Sequence, residues 1–394
     1  MFTPQFAIDL ARLIPSPSKA APLRAVGVRD VVTAQGLRIR VYYPGVVAES
    51  SLSSSKDGAV ASKKSVGWFV DSLGDTALGY LHTMTPVRAG TLGFKVLSPI
   101  VRVAANALSP LSYASVPGVF RDLNIDKGVE EKRKLPLIVF SHGLTGTGEE
   151  HATLFAHWAR MGFVVSAVQH TDGSSSRALD ANGNPLYYDH PPGMHGAPGI
   201  YPADYRPKQL EKREKDLSAM YEHMVSTSST FSDIVDPSRV VVGGFSYGAA
   251  TAALSGAKHP KRYAAAILMD GWFNLDLKSI SSCESNEQLP FPALAHERGI
   301  ECPCFFIGSD QFAHYKHLKR RTDHLVARCA HPATESHVLP TTVHWSFMDL
   351  VVWLSSSSNF VYNKLAGVEN AQEAYLELFK RSSSFLDRNV LQQK

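Results

Sequence analysis

Val240-Val-Val-Gly-Gly-Phe-Ser-Tyr-Gly-Ala-Ala-Thr-Ala-Ala253 decides the fold. Its opening valines read as a buried strand, Gly244-Phe245-Ser246-Tyr247-Gly248 as a G-x-S-x-G turn, and the small residues that follow as a helix. Strand, sharp turn and helix in that order are what a nucleophile elbow requires. The serine is lifted onto the carboxyl edge of the sheet, and the flanking glycines let the strained backbone close against its neighbours. The pentapeptide alone is a weak signal, and its plainer reading is a tight turn with an incidental serine. Its context carries the assignment.

Outward from that elbow the chain alternates short apolar runs with helical stretches. Strands are expected at Leu135–Phe140, Phe163–Val168, Val240–Gly243, Ala264–Met269, Cys304–Ile307 and Ser336–Leu339. Helices are expected near Glu150–Met161, Arg206–Met224, Tyr247–Ala257 and Tyr315–Cys329, with a last amphipathic helix at Ala371–Arg381. Continuous apolar strands alternating with helices predict an α/β fold, a mostly parallel central sheet covered on both faces. Before this core, the alternating runs Val26–Val32 and Leu37–Tyr43 flank Gln35-Gly36 and read as an N-terminal hairpin. Residues 45–64 are small, polar and serine-rich, a flexible surface loop, and residues 65–134 are apolar but cut by Pro86, Pro99, Pro110 and Pro117 into short helices and turns. A single domain spans 1–394 in this reading: catalytic core 135–355, helical insert 65–134, and C-terminal helix and tail 356–394.

A serine hydroxyl is a poor nucleophile near neutral pH and needs a base. Among 16 histidines, His344 stands out because it follows the last expected strand and a short turn, Leu339-Pro340-Thr341-Thr342-Val343, at the same edge of the sheet as Ser246. The acid should lie between them in the Ser…Asp…His order of this fold. Asp270, after Ala264–Met269, and Asp310, after Phe305–Gly308, both qualify, although an aspartate just past a strand is also a common cap or turn former. A tetrahedral intermediate needs two backbone donors: the N–H of Tyr247, next to the nucleophile, and one from the loop Ser141-His142-Gly143-Leu144, where position, together with the resemblance described below, points to Leu144. His142 reads as a packed loop residue.

Other chemistries are excluded. Gly143 to Gly148 has P-loop glycine spacing, but Glu149 stands where the lysine belongs and would repel phosphate. Glu149-Glu150-His151 lacks the first histidine of a zinc-binding H-x-x-E-H, and the four cysteines, Cys283, Cys302, Cys304 and Cys329, contain no C-x-x-C pair, so no metal site is expected. A composition of 394 residues that is 44% hydrophobic and 19% charged is too apolar for disorder, and a net charge of +4 gives no basic stripe for nucleic acid. No signal peptide, membrane span or lipidation signal is evident, which predicts a soluble cytoplasmic protein, with secretion the weaker alternative.

Taken together, Leu135-Pro-Leu-Ile-Val-Phe-Ser-His-Gly-Leu144, Gly162–Gly173, Gly244-Phe-Ser-Tyr-Gly248 and Val343-His-Trp-Ser-Phe-Met-Asp349 resemble the platelet-activating-factor acetylhydrolases. These are the plasma and cytosolic type II phospholipase A2 group on the α/β-hydrolase fold. Arg29–Pro44 and Arg206–Met224 share the resemblance, which covers most of residues 25–355. It implies a triad of Ser246, Asp270 and His344, oxyanion donors at Leu144 and Tyr247, and the acid after the sixth strand, which favours Asp270. The implied activity is calcium-independent hydrolysis of the sn-2 acetyl or short or oxidised acyl ester of phospholipids such as platelet-activating factor, without a cofactor. Phe245 and Tyr247 depart from the family's histidine and phenylalanine beside the nucleophile, and 45–64 and Ala178–Tyr205 have no clear counterpart. The alternatives are a general carboxylesterase or lipase of the same superfamily and a non-catalytic hydrolase-like binding module. Tyr80–Tyr113, apolar on helical spacings with Arg88, Lys95 and Arg102 interspersed, suits peripheral contact with a membrane or lipoprotein surface; a layer packed on the sheet is the other reading.

Overall fold

Short apolar runs become strands here because both of their faces find cover. In the computed structural model the described residues are 25–46, 66, 68–85, 87, 89–107, 116, 118–126, 134–190, 204–226, 229–274, 291–349 and 371–392. The serine-rich stretch from 47 to 64, Arg88, Pro86, Pro110, Pro117, Cys283 and residues 191–203 and 350–370 lie outside them.

In chain order the elements are β1 (Ala25–Val32), β2 (Arg38–Val46), α1 (Leu73–Met84), α2 (Leu92–Ala107), β3 (Val119–Arg121), β4 (Asn124–Ile125), β5 (Leu135–Ser141), α3 (Ala152–Met161) and β6 (Val164–Gln169). Next come β7 (Arg177–Leu179), β8 (Pro185–Tyr187), α4 (Tyr205–Val225), β9 (Val235–Phe245), α5 (Tyr247–Lys258), β10 (Ala265–Met269) and α6 (Ala293–Arg298). The chain finishes with β11 (Cys304–Ser309), α7 (Asp310–His314), α8 (Lys316–Arg328), β12 (Glu335–Leu339), a 3-10 turn at His344–Phe347 and α9 (Ala371–Leu386).

One ten-stranded sheet runs in the order β12-β11-β10-β9-β5-β6-β2-β1-β3, with β4 beside β2. The strands from β12 to β6 are all parallel, and the hairpin β1–β2 joins them antiparallel through β2. Period-two alternation divides each central strand between two cores. Leu137, Val139, Val240, Val242, Leu268 and Phe306 face α4, α5 and α8, while Ile138, Phe140, Val241, Ile267 and Phe305 face α3 and α9. This is the mostly parallel, two-faced α/β sheet that the sequence predicts.

The chain passes from β5 to β6 on one side and returns to β9 on the other side of β5. Where the winding reverses, the loops after β5 and β9 part and leave a crevice at the carboxyl edge of the sheet.

Two features differ from the sequence reading. Residues 65–134 contain the expected helices α1 and α2, but β3 and β4 also join the main sheet, pairing with β1 and β2. Strands of two or three residues show no periodicity, and only the remote edge they pair with makes them strands. The insert after Ala178 also contributes a small hairpin, β7–β8. Among the described residues, Cys302, Cys304 and Cys329 are buried free thiols, and no helix is long and apolar enough to cross a membrane.

Candidate active site

β9 ends at Phe245 and α5 starts at Tyr247, so the turn between them is Ser246 alone. Its backbone, at φ 57° and ψ −118°, is strained for any residue with a Cβ. The surroundings hold it there: Ser246 N donates to Met269 O at 2.9 Å, and Ser246 O accepts from Trp272 N at 3.0 Å. The flanking glycines are required by close approach. A Cβ on Gly248 would lie 1.9 Å from the carbonyl oxygen of Ser141, and one on Gly244 2.1 Å from that of Gly248. Gly248→Ala is therefore expected to cost about 2–3 kcal/mol by forcing α5 off β5, measurable as a drop in the denaturation midpoint.

His344 opens the 3-10 turn after β12, its N–H donating to Gln311 Oε1 at 2.9 Å. Nδ1–H donates to Asp270 Oδ2 at 2.6 Å, which leaves Nε2 as the acceptor facing Ser246 Oγ at 3.0 Å. Phe312 stacks on the imidazole at 4.4 Å and 6°, and Phe245 at 4.6 Å and 22°. Two near-parallel rings at that spacing must occupy opposite faces, so the imidazole is sandwiched and its plane is set.

Asp270 follows β10 with φ 42°, and its N–H donates to Ile307 O at 2.7 Å. Its carboxylate accepts the Ser309 N–H at 2.7 Å and the Ser309 hydroxyl at 2.8 Å on Oδ2. The carboxylate is fully buried while the His344 ring is 22% exposed, an acid sealed behind a base that meets the crevice. Asp310 lies elsewhere. It opens α7, its N–H donates to Thr342 Oγ1 at 3.1 Å, and its half-exposed carboxylate faces His314 Nδ1 at 3.4 Å. The structure brings Ser246, Asp270 and His344 together and leaves Asp310 out.

The loop after β5 passes against the serine: a Cβ on Gly143 would lie 3.2 Å from Ser246 Cβ. Leu144, next in that loop, is half-buried on the core, and Tyr247 provides the first N–H of α5, a position without an intrahelical acceptor. The Tyr247 amide thus borders the nucleophile at the positive end of a helix, and the loop that carries Leu144 passes beside the serine. His142 is buried; its Nδ1–H donates to Gly143 O at 2.7 Å and its Nε2 accepts from His170 N at 3.3 Å. Burial, reinforced by the nearby Arg213 cation, holds its pKa well below the usual histidine range, which suits a neutral loop brace. Among the described residues no cluster of three or more His, Cys, Asp or Glu side chains could hold a metal ion. Four contributors are absent from the sequence reading: Ser309, Gln311, Phe312 and Arg213.

A serine on a strand–turn–helix elbow, at the carboxyl edge of a mostly parallel sheet, defines the α/β-hydrolase class. The solved ferulic acid esterase from Streptomyces cinnamoneus shares this fold, with a TM-score of 0.56 over 96% of this chain and 93% of that one at 15% identity. The chain belongs to the platelet-activating factor acetylhydrolase isoform II family, whose model matches residues 94–184 and 212–394. It is 24% identical to the platelet-activating factor acetylhydrolase of Canis lupus familiaris over 284 residues, 65% of this chain and 57% of that protein. With the protein of that name from Gallus gallus it shares 27% identity over 210 residues, 45% of each chain. The chain therefore spans about half the length of the curated relatives it matches.

Proposed function

We propose that the protein is a serine esterase that removes a short sn-2 acyl group, acetyl above all, from a phospholipid. The observation that carries this reading is His344, bonded through Nδ1 to buried Asp270 and facing Ser246 Oγ through Nε2. In that arrangement His344 takes the proton as Ser246 attacks the acyl carbonyl. Asp270 fixes the tautomer and stabilises the imidazolium, and the Leu144 and Tyr247 amides receive the oxyanion. His344 then returns the proton to the departing lysophospholipid oxygen, and water releases the acid from the acyl-enzyme by the same route. Family membership supports the phospholipid. The test is a panel of phosphatidylcholines with sn-2 chains of increasing length beside a triglyceride. Acetyl esters should be turned over fastest, and preference for the triglyceride would make the protein a general lipase.

A phospholipid substrate requires access to a lipid surface, and α2 suits it. Leu92, Val96, Ile100 and Val103, 56–78% exposed, fall on one face at spacings of four, four and three residues. The opposite side is tied to the protein: Phe94 is buried against Tyr187 with centroids 5.4 Å apart, and Arg102 pairs with Asp75 at 2.7 Å. Lys95, exposed on the same helix, is positioned to reach headgroups. A double variant, Ile100→Asp with Val103→Asp, is expected to weaken partition onto phosphatidylcholine vesicles by about 10²-fold or more, since each side chain forfeits about 1.5–3 kcal/mol of burial. Hydrolysis of a soluble acetyl ester should be unchanged. Equal loss of both activities would mean simple destabilisation.

A further inference from the structure

Arg213 lies fully buried on α4, and all four of its hydrogen bonds end on uncharged oxygens. Nη2 donates to the His142 carbonyl and, at 3.1 Å, to Ser141 Oγ. Nη1 donates to Ser174 Oγ, and Nε to Thr251 Oγ1 at 3.1 Å. The guanidinium also sits 5.1 Å from the Tyr247 ring centroid, and Thr251 Oγ1 donates to the Tyr247 carbonyl at 3.1 Å. One side chain therefore grips the loop that leads to Leu144 and the first turn of the helix that starts at Tyr247.

We propose that Arg213 is a positioning residue for ester hydrolysis, clamping the loop after β5 to the first turn of α5 so that the Leu144 and Tyr247 amides keep the spacing an oxyanion needs. This inference rests on the serine-esterase reading. A second layer locks the same loop: Ser141 Oγ lies 2.9 Å from His170 Nε2, and His170 Nδ1–H donates to Asp216 Oδ2 at 3.0 Å. These are the residue types of a catalytic triad, but Ser141 is wholly buried and meets no substrate, so the relay acts as a brace. Asp216 stands three residues after Arg213 on α4, so one helix supplies both anchors.

The clamp also has an electrostatic side. Asp172 and Asp216 face the guanidinium only at longer range, and Arg206 adds to the positive side. A guanidinium stays charged, and a fully buried fixed cation close to the start of α5 favours the oxyanion over the neutral carbonyl. Its loss should slow the chemical step and leave ground-state binding alone.

Saturation kinetics of a fluorophosphonate probe, whose phosphoryl oxygen enters the same hole, separate the two. Arg213→Met is expected to lower kinact by about 10²-fold with KI within about twofold of wild type, and Arg213→Lys to recover about tenfold of the loss. Ser174→Ala, which keeps the cation and removes one anchor, should lower kinact several-fold at an unchanged thermal midpoint. An unchanged kinact in Arg213→Met overturns the inference, as does a loss shared equally by Met and Lys variants with matching falls in thermal midpoint. If Arg213→Met does not fold, Ser174→Ala decides, and an unchanged kinact there overturns it. A wild-type chain that the probe fails to label overturns the esterase reading, whereas a labelled wild type with an indifferent Arg213→Met overturns only the clamp.

Discussion

Ser246→Ala is expected to abolish ester hydrolysis and leave the fold standing. The expected fall in kcat is about 10⁴-fold or more, because in the proposed mechanism the hydroxyl forms the acyl-enzyme. The fold should tolerate the change for a local reason. Ser246 is held by its backbone, through Met269 O and Trp272 N, while its Oγ bonds to His344 Nε2. The strain at φ 57° is a Cβ strain that alanine bears equally, so the elbow keeps its shape. Titration of acid release from an acetyl ester, with a thermal melt of the same sample, reads both halves of the expectation. A variant that retains a few per cent of activity would move the nucleophile elsewhere.

Asp270→Asn is the second large effect: kcat should fall by about 10³ to 10⁴-fold with little change in KM. With an amide in place of the carboxylate, Nδ1–H loses its anionic acceptor, the imidazole tautomer is no longer set, and the developing imidazolium has no buried counter-charge. The Ser309 N–H and hydroxyl, which now converge on the carboxylate, would face an amide able to rotate and present its NH₂ to one of them. Asp310→Asn should keep most of its turnover, because that carboxylate faces His314 on the surface. Its change is confined to the first turn of α7, a few tenths of a kcal/mol at most for an exposed pair, about the scale of surface ion pairs. Kinetics on the two purified variants decide the matter, and the reverse ranking would assign the acid to Asp310.

Why this choice was hard from the sequence is plain in the sheet. Asp270 and Asp310 end β10 and β11, which are adjacent and parallel, so both carboxylates arrive at the same edge with the same local signature. The acid is separated from its rival by contacts among remote residues. Ser309 turns toward Asp270, and Asp310, one residue on, has already started α7 and points toward His314. The strand that leads to Asp310 thus supplies, through Ser309, the hydrogen bonds that hold Asp270. The sandwich around His344 is equally non-local, since Phe312 reaches it from α7 and Phe245 from β9. Arg213, by contrast, left a trace. It interrupts the stripe Leu210, Leu217, Met220, Met224 at helical spacing, a cation on the buried face of α4, and such a position calls for a buried partner.

What the sequence by itself determined is what short-range physics writes into neighbouring residues. Apolar runs of strand length alternating with helices specify a parallel sheet covered on both faces, and Gly244-Phe245-Ser246-Tyr247-Gly248 after a valine run specifies the elbow. His344 followed from its place after the last strand, because every parallel strand delivers its next loop to the same edge. Only the tertiary structure decided which aspartate meets that histidine, which rings hold it flat and which buried cation bonds both the His142 carbonyl and Thr251 of α5. Those outcomes depend on pairings across tens of residues, and on side-chain directions within a few tenths of an ångström, to which periodicity and turn chemistry are blind. β3 and β4 belong with them: two short segments become strands because the edges of β1 and β2 offer unpaired backbone groups, a condition that exists only once the sheet has formed.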